Sequence, residues 1–364
     1  MKKIILRLDL NVPIINNKII DTKRIDLIIP YLQKLLKKNK IIILSHLGKG
    51  DKAETLKPIE KYLRKKLSKE ENNNLIVEEN TRWVKGELAK AGSKEWDDAT
   101  KYFASFGDEY INNAFSVMHR DNASVVGIPK LFKKQKKSLK IGDNAKEEIK
   151  HLEKSLKLAK NSKNKTLLIL SGAKISTKLP LIKKFLDLKA KIFVSGGIAN
   201  QILKDILNIE IGKSFIEKDF IISDSLKKLF LKEVKNKNLI LPIDTILKNN
   251  EVKLLKEIKK EDYISDIGPA TFAILKNKIN EAGNIIMNGP LGIYEDGFNA
   301  GTLATLKEFK KTKANILVGG GDTLVLLKKA KLKENKNIYI STGGGAMLEF
   351  LTNDGKLPGI LVLK

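Results

Sequence analysis

Residues 338–351 read Ile-Tyr-Ile-Ser-Thr-Gly-Gly-Gly-Ala-Met-Leu-Glu-Phe-Leu. The run 337–340, mostly apolar and β-branched, predicts a buried strand, and the apolar spacing of residues 346–351 predicts a helix. Gly343–Gly345 form the turn between them. Glycines let backbone N–H groups approach a ligand closely, and the start of a helix adds unpaired donors and a partial positive charge. The stretch therefore predicts either a phosphate-binding turn or a plain tight turn between strand and helix.

The same strand–glycine–helix pattern occurs three more times in the second half of the chain. Its copies are Val318-Gly319-Gly320-Gly321-Asp322-Thr323, Val194-Ser195-Gly196-Gly197 and, with a lysine, Leu170-Ser171-Gly172-Ala173-Lys174. Ligands of open α/β sheets bind beyond the carboxyl ends of the strands, which is where all four turns are predicted to lie. The repetition favours one phosphate-rich ligand over four unrelated tight turns.

Length and composition limit the classes of protein to consider. The 364 residues are enough for two domains, and 42% hydrophobic with 30% charged residues is ordinary globular composition. The absence of cysteine excludes disulfides and thiolate chemistry and fits a reducing, cytoplasmic location, and three histidines leave little material for a zinc site. Because no apolar run approaches the length of a membrane span and a strand follows Met1 directly, we expect neither a membrane span nor a signal peptide.

The formal net charge of +27 raises the possibility of a nucleic-acid-binding protein. However, the excess is mostly lysine spread along helical faces, without an arginine-rich tract or alternating aromatic and basic residues. We interpret it as a solvated lysine surface and expect no specific nucleic-acid partner, although weak polyanion binding at low salt is expected.

Alternating strands and helices predict an α/β fold with mostly parallel, doubly wound sheets. A helix is predicted over 24–39, with a kink at Pro30, and a lysine-rich helix over 145–160, where we place the domain boundary. The predicted strands are 3–8, 41–44, 75–77, 110–113 and 125–128 in the first half, and 166–170, 191–194, 239–241, 263–265, 284–287, 316–318 and 337–340 in the second.

Short motifs spread along the whole chain resemble those of the phosphoglycerate kinases. Any one of them could arise by chance, but their order from residue 7 to residue 360 is specific to that family. The motifs are Arg-Leu-Asp-Leu-Asn-Val-Pro at 7–13, Asp-Thr-Lys-Arg-Ile at 21–25, Ser-His-Leu-Gly at 45–48, Glu-Asn-Thr-Arg at 79–82, residues 114–120, Gly-Ala-Lys-Ile-Ser-Thr-Lys at 172–178, Asp-Ile-Gly-Pro at 266–269, Asn-Gly-Pro-Leu-Gly-Ile-Tyr-Glu at 288–295, residues 319–323, residues 341–351 and Leu-Pro-Gly-Ile at 357–360.

The resemblance implies two Rossmann-like domains that face each other across a cleft. Residues 1–150, with 352–364 folding back, would bind 3-phosphoglycerate; 145–161 would be the connecting helix, and 162–351 would bind the Mg-nucleotide. The implied activity is the reversible transfer of a phosphoryl group from 1,3-bisphosphoglycerate to ADP in glycolysis and gluconeogenesis, by direct in-line transfer with domain closure. The implied protein is a cytoplasmic monomer that needs Mg²⁺ and has no membrane partner.

The resemblance also assigns roles in the first half. Asp9 and Asn11 would hydrogen-bond the glycerate hydroxyl and carboxylate region, although such residues also serve as turn or helix caps. Arg24 would bind the carboxyl end and act in catalysis by balancing charge on the transferred group. His46 and Arg120 would hold the remote phosphate, together with Lys49.

In the second half, the resemblance places Lys174 on the transferred phosphoryl group and Lys178 on the nucleotide phosphates; without it, both would be read as solvated lysines. Asp322 is the candidate ligand of Mg²⁺, a cation that takes few protein oxygens, or else a helix N-cap. Glu295 would lie at the ribose. The remaining nucleotide-binding candidates are Gly172, Gly196, Gly197, Asn288, Pro290, Gly320, Gly321, Thr323, Gly343 and Gly344.

Several positions depart from the family pattern. Lys49 and Asn164 stand where the family usually has phosphate-binding arginines, and Asn113 stands where aspartate is usual. Lysine offers a point charge rather than a bidentate fork, so weaker substrate binding is expected. A non-catalytic descendant of the enzyme is the alternative, but Arg24, Lys174 and Asp322 are all retained, which favours a working and slower kinase.

Overall fold

The computed structural model describes residues 1–49, 52–161, 163 and 165–364, without the side chains of residues 49, 52 and 53. The chain forms two compact units. The N-terminal unit comprises Met1–Lys150 and Gly355–Lys364, and the C-terminal unit comprises His151–Asp354. Within the described residues no helix is long and apolar enough to cross a membrane.

Five parallel strands form the sheet of the N-terminal unit. Their order across the sheet is Leu75–Val77, Asn39–Leu44, Lys2–Arg7, Glu109–Asn112 and Ser138–Ile141. The apolar residues of the central strand are fully covered, as expected for a sheet that carries helices on both faces. Arg7 lies opposite Leu44 and Asn112 in register, so the carboxyl ends of three strands meet at one edge.

Two helices of this unit begin at serine N-caps. Ser68 and Ser93 accept hydrogen bonds from backbone N–H groups in the first turns of the helices that follow them. The backbone N–H of Gly359 donates to Met118 O over 2.8 Å, which joins the end of the chain to this unit. The α-helices are Lys23–Asp26, Ile29–Leu36, Lys57–Lys66, Lys69–Asn73, Lys94–Ala104, Ile128–Lys134, Pro358–Leu361 and the boundary helix Asp143–Lys160; short 3-10 turns are Thr81–Trp83 and Phe115–Val117, and two small hairpins pair Ile14–Ile15 with Lys18–Ile19 and Gly48–Lys49 with Lys52–Ala53.

Six parallel strands form the main sheet of the C-terminal unit. In sheet order they are Leu239–Ile240, Lys191–Val194, Thr166–Leu170, Asn284–Asn288, Asn315–Gly319 and Ile338–Ile340. Numbered along the chain this order is 3-2-1-4-5-6, the doubly wound arrangement in which ligands bind where the strand order reverses. The reversal lies between Thr166–Leu170 and Asn284–Asn288.

Three antiparallel strands form a separate small sheet in this unit, with Asp244–Leu247 between Val252–Leu254 and Ile264–Ile267. Apolar side chains of the main sheet pack against the surrounding helices to form its core. The helices are Leu179–Asp187, Gly196–Asp205, Asp224–Lys235, Pro269–Glu281, Ala300–Phe309, Gly321–Ala330 and Gly345–Thr352, and the 3-10 turns are Leu255–Glu257 and Tyr294–Asp296.

Three of the predicted elements were wrong. Residues 125–128 are not a strand but lie in the helical segment formed by Ala123–Gly127 and Ile128–Lys134; a short buried apolar run does not distinguish the two conformations. The strand predicted over 263–265 belongs to the antiparallel sheet rather than the parallel one. The predicted helix over 24–39 is two helices, and Pro30 lies in the first turn of the second, where its missing N–H costs no hydrogen bond.

Candidate active site

Asp9 lies just beyond the central strand of the N-terminal unit and joins three partners. Its Oδ2 atom lies 2.9 Å from Arg24 Nη1 and also accepts a hydrogen bond from the Ser116 hydroxyl. Its Oδ1 atom accepts from the backbone N–H of Asn11 over 3.1 Å. Burial alone would raise the pKa of Asp9, but Arg24 and Ser116 outweigh it, so the pKa lies below its ordinary value. Asp9 is therefore ionised at neutral pH.

Asn11 fixes the surrounding loops. Its side-chain Oδ1 accepts from the backbone N–H of Gly48 over 3.1 Å, and its backbone oxygen accepts from Arg24 Nη1 over 2.9 Å. Arg24 thus bridges Asp9 and Asn11 through one nitrogen. Asp9, Asn11 and Arg24, which were predicted to contact the glycerate part of the substrate, therefore lie together. Asp9 also makes a local turn contact with the backbone N–H of Asn11.

His46 follows the neighbouring strand and is almost fully buried. Its Nδ1 atom lies 3.4 Å from Nη2 of Arg7, a fully buried arginine at the end of the central strand. Burial, reinforced by the charges of Arg7, Arg82 and Arg120, lowers the pKa of His46 to about 3, against the opposing effect of Asp9. His46 is therefore neutral across the physiological range.

Arg120 and Arg82 complete a basic cluster. Arg120 Nε lies 3.3 Å from His119 Nε2, and burial and Arg120 lower the pKa of His119 to about 4. Arg82 donates to the backbone oxygen of Gly48, and burial and Arg120 lower its pKa. With both histidines neutral, the arginines at 7, 24, 82 and 120 face the carboxylates of Asp9 and Glu87, which leaves an excess of positive charge suited to an anion.

A cavity of about 400 Å³ lies in the C-terminal unit beside the point where strand order reverses. One part of its wall is apolar, and the other includes glycine turns and three acidic side chains, Asp266, Glu295 and Asp322. Such a wall suits a flat, weakly polar ring system that carries phosphates. The apolar lining includes Leu203, Phe215, Pro242, Leu255, Tyr263 and Leu291; of the predicted residues the lining includes Gly172, Gly196, Gly197, Pro290, Glu295 and Asp322.

Lys178 and Asn288 contact each other next to this cavity. The ammonium of Lys178 donates to Asn288 Oδ1. Burial lowers the pKa of Lys178 to about 8, and the nearby charge of Asp322 opposes that shift. Lys174, by contrast, is exposed in the turn before the helix Leu179–Asp187. The two lysines therefore differ in burial, and Lys178 is part of a defined polar contact.

Asp322 lies in the first turn of the helix Gly321–Ala330, whose N-cap position is Gly320. Its Oδ1 atom accepts a hydrogen bond from the hydroxyl of Tyr294 over 3.1 Å. Thr323 is fully buried, and its hydroxyl oxygen accepts from the backbone N–H of Gly289 over 3.1 Å. The turn at 319–323 is thus tied to the loop after the neighbouring strand.

Glycine is required at two of these turns. Gly320 has φ of 102° and Gly344 has φ of 51°, and a Cβ on Gly320 would lie 3.2 Å from Asn288 Nδ2. Both residues occupy N-cap positions, where backbone N–H groups point away from the helix. Gly343 and Gly344 do not line the cavity.

Comparison with known proteins identifies the family. Residues 1–354 match the sequence profile of phosphoglycerate kinase. The chain is 34% identical to phosphoglycerate kinase of Coxiella burnetii and 35% identical to that of Buchnera aphidicola, each over the whole chain and 95% of the relative. The solved structure of the Coxiella burnetii enzyme superposes with a TM-score of 0.80 at 33% identity, and that of the Pyrococcus horikoshii enzyme with 0.77 at 25%; each match covers the whole chain and 96% of the other protein.

The chain belongs to the phosphoglycerate kinase family. It is accordingly a glycolytic kinase that transfers phosphate to or from a carboxyl group and uses a nucleotide. The α/β architecture with mostly parallel sheets, predicted from the sequence, is confirmed.

The structure adds residues that the sequence reading did not select. Arg7 and Arg82 lie within two of the quoted motifs. Arg7 ends an apolar strand and Arg82 follows the end of another, and an arginine at either place was a signal for a site. Ser116 and Tyr294 gave no such signal, because their hydroxyls meet Asp9 and Asp322 only after distant loops fold. The side chain of Lys49 and all of Asn164 lie outside the described residues.

Proposed function

We propose that the N-terminal unit binds 3-phosphoglycerate or 1,3-bisphosphoglycerate at the cluster around Asp9. The observation that carries this proposal is the Asp9–Arg24 ion pair beside the arginine cluster, in which Arg7 is fully buried. The glycerate hydroxyl would reach Asp9 and Asn11, and the remote phosphate would meet His46, Lys49 and Arg120. Arginines bind phosphate oxygens through paired, charge-assisted hydrogen bonds, which fits the net positive cluster.

The C-terminal unit would bind ADP or ATP in its cavity. The base would lie on the apolar wall near Phe215 and Leu255, and Glu295 would reach the ribose. The phosphates would meet the glycine turns, Lys178 and Asn288. In support, the cavity combines apolar and phosphate-binding surfaces at the point where the strand order reverses.

Asp322 would hold Mg²⁺. The described residues contain no group of three or more acidic, histidine or cysteine side chains that would form a complete protein cage. A single exposed carboxylate fits Mg²⁺, which keeps most of its waters and takes its other ligands from nucleotide phosphates. When bound, the ion would neutralise charge on the nucleotide phosphates.

The reaction would be a direct in-line transfer. An ionised oxygen of the ADP β-phosphate forms a bond to the phosphorus of the acyl phosphate as the bond to the carboxyl oxygen breaks, and the carboxylate leaves with the electron pair. No protein nucleophile or general base is needed, so the residues act by positioning and by charge. Arg24 and Lys174 would stabilise the transferred group. Since the ligands are assigned to separate sheets, we also propose that turnover requires the two units to close.

A coupled assay with 3-phosphoglycerate and MgATP tests this function. We expect turnover in both directions, and in binding titrations Asp322→Ala should weaken MgADP while leaving 3-phosphoglycerate unchanged. Equal weakening of both ligands would show that Asp322 is structural. Scattering should also show a more compact particle with both ligands than with either alone.

The proposed setting is a cytoplasmic monomer without a specific nucleic-acid partner. The charge of +27 motivates the competing hypothesis of a polyanion-binding protein. A salt titration of binding to a random-sequence duplex separates the two. Weak binding that disappears at physiological salt supports the kinase reading, whereas tight binding that persists, together with no kinase activity, would favour the alternative.

A further inference from the structure

Arg7 acts only as a hydrogen-bond donor, and its donor nitrogens contact several loops of the basic cluster. Its Nε atom donates to Ser124 Oγ over 3.1 Å, and its Nη1 atom donates to the backbone oxygens of Leu8 and Leu44 at 2.6 and 3.4 Å. The Ser124 hydroxyl in turn donates a hydrogen bond to Glu87 Oε1 over 2.6 Å. Glu87 therefore orients Ser124 as an acceptor, and Ser124 and the two backbone oxygens fix the plane of the guanidinium.

The remaining nitrogen, Nη2, points at Nδ1 of His46 over 3.4 Å. A guanidinium has five N–H donors and no acceptor, so Nδ1 must be the acceptor in this contact. An imidazole that accepts at Nδ1 and is neutral carries its proton on Nε2. An imidazolium would place an Nδ1–H donor against the Arg7 donor.

We infer that Arg7 is a positioning residue that holds His46 as the neutral Nε2–H tautomer. His46 then offers the substrate an uncharged N–H donor. The role of His46 toward the substrate rests on the proposed function, whereas the assignment of its tautomer rests only on the contact with Arg7. Its consequence is that substrate binding takes up no proton at His46. Charge recognition of the phosphate is left to the arginines.

The cationic groups around His46 act in the same direction. Arg7, Arg82 and Arg120 all disfavour the imidazolium, and Asp9 is the one neighbour among the described residues that favours it. Asp9 is already engaged by Arg24 and Ser116, which limits its effect. Removing Arg7 should therefore raise the pKa of His46, while burial, Arg82 and Arg120 continue to lower it.

Nitrogen-15 NMR of the histidine rings in the full chain tests the tautomer directly. The three histidines are assigned with His46→Gln, His119→Gln and His151→Gln. We expect a pyridine-type Nδ1 and a pyrrole-type Nε2 for His46, unchanged between about pH 8 and pH 5.5. A protonated Nδ1 in the wild-type protein would overturn the inference whether or not the chain is an active kinase.

Two variants test whether Arg7 is the cause. In Arg7→Gln, His46 should titrate at a higher pH than in the wild-type protein. The ratio of the variant's KM for 3-phosphoglycerate to the wild-type KM should therefore fall as the pH is lowered from 8 toward 5.5, because a charged imidazolium then helps bind the phosphate. Taking the ratio cancels the titration of the substrate itself. Arg64→Gln, an arginine paired with Glu60 elsewhere in the same unit, is the matched control and should show a constant ratio.

Ser124→Ala provides a second variant should Arg7→Gln fail to fold. It removes little volume but deprives Arg7 Nε of its acceptor, so the Nδ1–H tautomer of His46 should become measurable. Absence of kinase activity with the expected tautomer would refute the proposed function and not this inference. If the His46 spectrum is identical to wild type in every folded variant, Arg7 does not determine the tautomer of His46.

Discussion

The phenol oxygen of Tyr294 lies 3.1 Å from Oδ1 of Asp322, and this contact joins the loop after one strand to the helix after the next. Burial and the neighbouring charge of Asp322 raise the pKa of Tyr294 to about 12, so the hydroxyl is protonated and donates. This hydrogen bond uses only Oδ1, and the other carboxylate oxygen, Oδ2, takes no part in it. Tyr294 thus orients the carboxylate that we propose holds Mg²⁺.

Tyr294→Phe should weaken MgADP binding several-fold and leave binding of metal-free ADP unchanged. The substitution removes only the hydroxyl, so Asp322 loses an orienting donor while the ring stays in place; loss of such outer contacts commonly costs about 10-fold in metal affinity. Calorimetric titrations with and without Mg²⁺ make the comparison. Tyr263→Phe, another tyrosine of the cavity wall, is the control, and equal losses in both nucleotide forms would assign Tyr294 to the base or ribose instead.

Lys174→Ala should lower kcat about 10²- to 10³-fold with much smaller changes in either KM, because its charge is needed while the phosphoryl group is in flight. Lys174 is exposed in a turn, so folding should be unaffected. Steady-state kinetics in the direction of ATP synthesis provide the measurement. Lys183→Ala, an exposed lysine of the following helix, should behave as wild type, and a normal kcat in the Lys174 variant would exclude that residue from catalysis.

The glycine turns of the C-terminal unit could be located from sequence because each depends on a local pattern, a buried run followed by glycine. The position of Arg7 at a strand end was a local signal, but its contacts could not be predicted, since its partners Ser124 and His46 lie far along the chain. Residues 125–128 were assigned to a strand because β-branched residues buried on every side have no period. Local sequence patterns therefore predicted where strands end, whereas the contacts between the loops at those ends could be seen only in the folded structure.

The kcat/KM for the nucleotide should fall as pH rises through about 8. Burial lowers the pKa of Lys178 to about 8, so above that pH the free enzyme loses the ammonium proposed to meet the phosphates. Lys178→Arg keeps its charge and should move the fall to higher pH. Lys174→Arg is the matched change at the exposed lysine and should leave the fall in place; a wild-type profile that stays flat well above pH 8 would contradict the assignment.

Asn113→Ala should destabilise the N-terminal unit by about 1–2 kcal/mol. Asn113 Oδ1 accepts from the backbone N–H of Ala145 over 3.1 Å near the start of the helix Asp143–Lys160, and an alanine would leave that buried donor unpaired. Both tryptophans, Trp83 and Trp96, lie in this unit, so their fluorescence during urea unfolding reports on it. Asn73→Ala, at an exposed helix end, should change the unfolding free energy by less than about 0.5 kcal/mol.

Lys49→Arg should lower KM for 3-phosphoglycerate several-fold and leave KM for ATP unchanged. Lys49 follows Gly48, whose backbone N–H donates to Asn11 Oδ1 and whose backbone oxygen accepts from Arg82. An arginine there offers two parallel hydrogen bonds to phosphate where lysine offers a point charge, and one charge-assisted bond contributes about 1.5–3 kcal/mol before entropy reduces it.

Because the proposed contact is with the phosphate that is not transferred, kcat should change less than KM. Lys49→Ala separates the two explanations for the residue. If lysine already binds the phosphate, the alanine variant should raise KM for 3-phosphoglycerate while the arginine variant lowers it, and both should keep the wild-type KM for ATP. Should neither substitution alter KM for 3-phosphoglycerate, Lys49 faces solvent, and the arginines at 82 and 120 bind the phosphate without it.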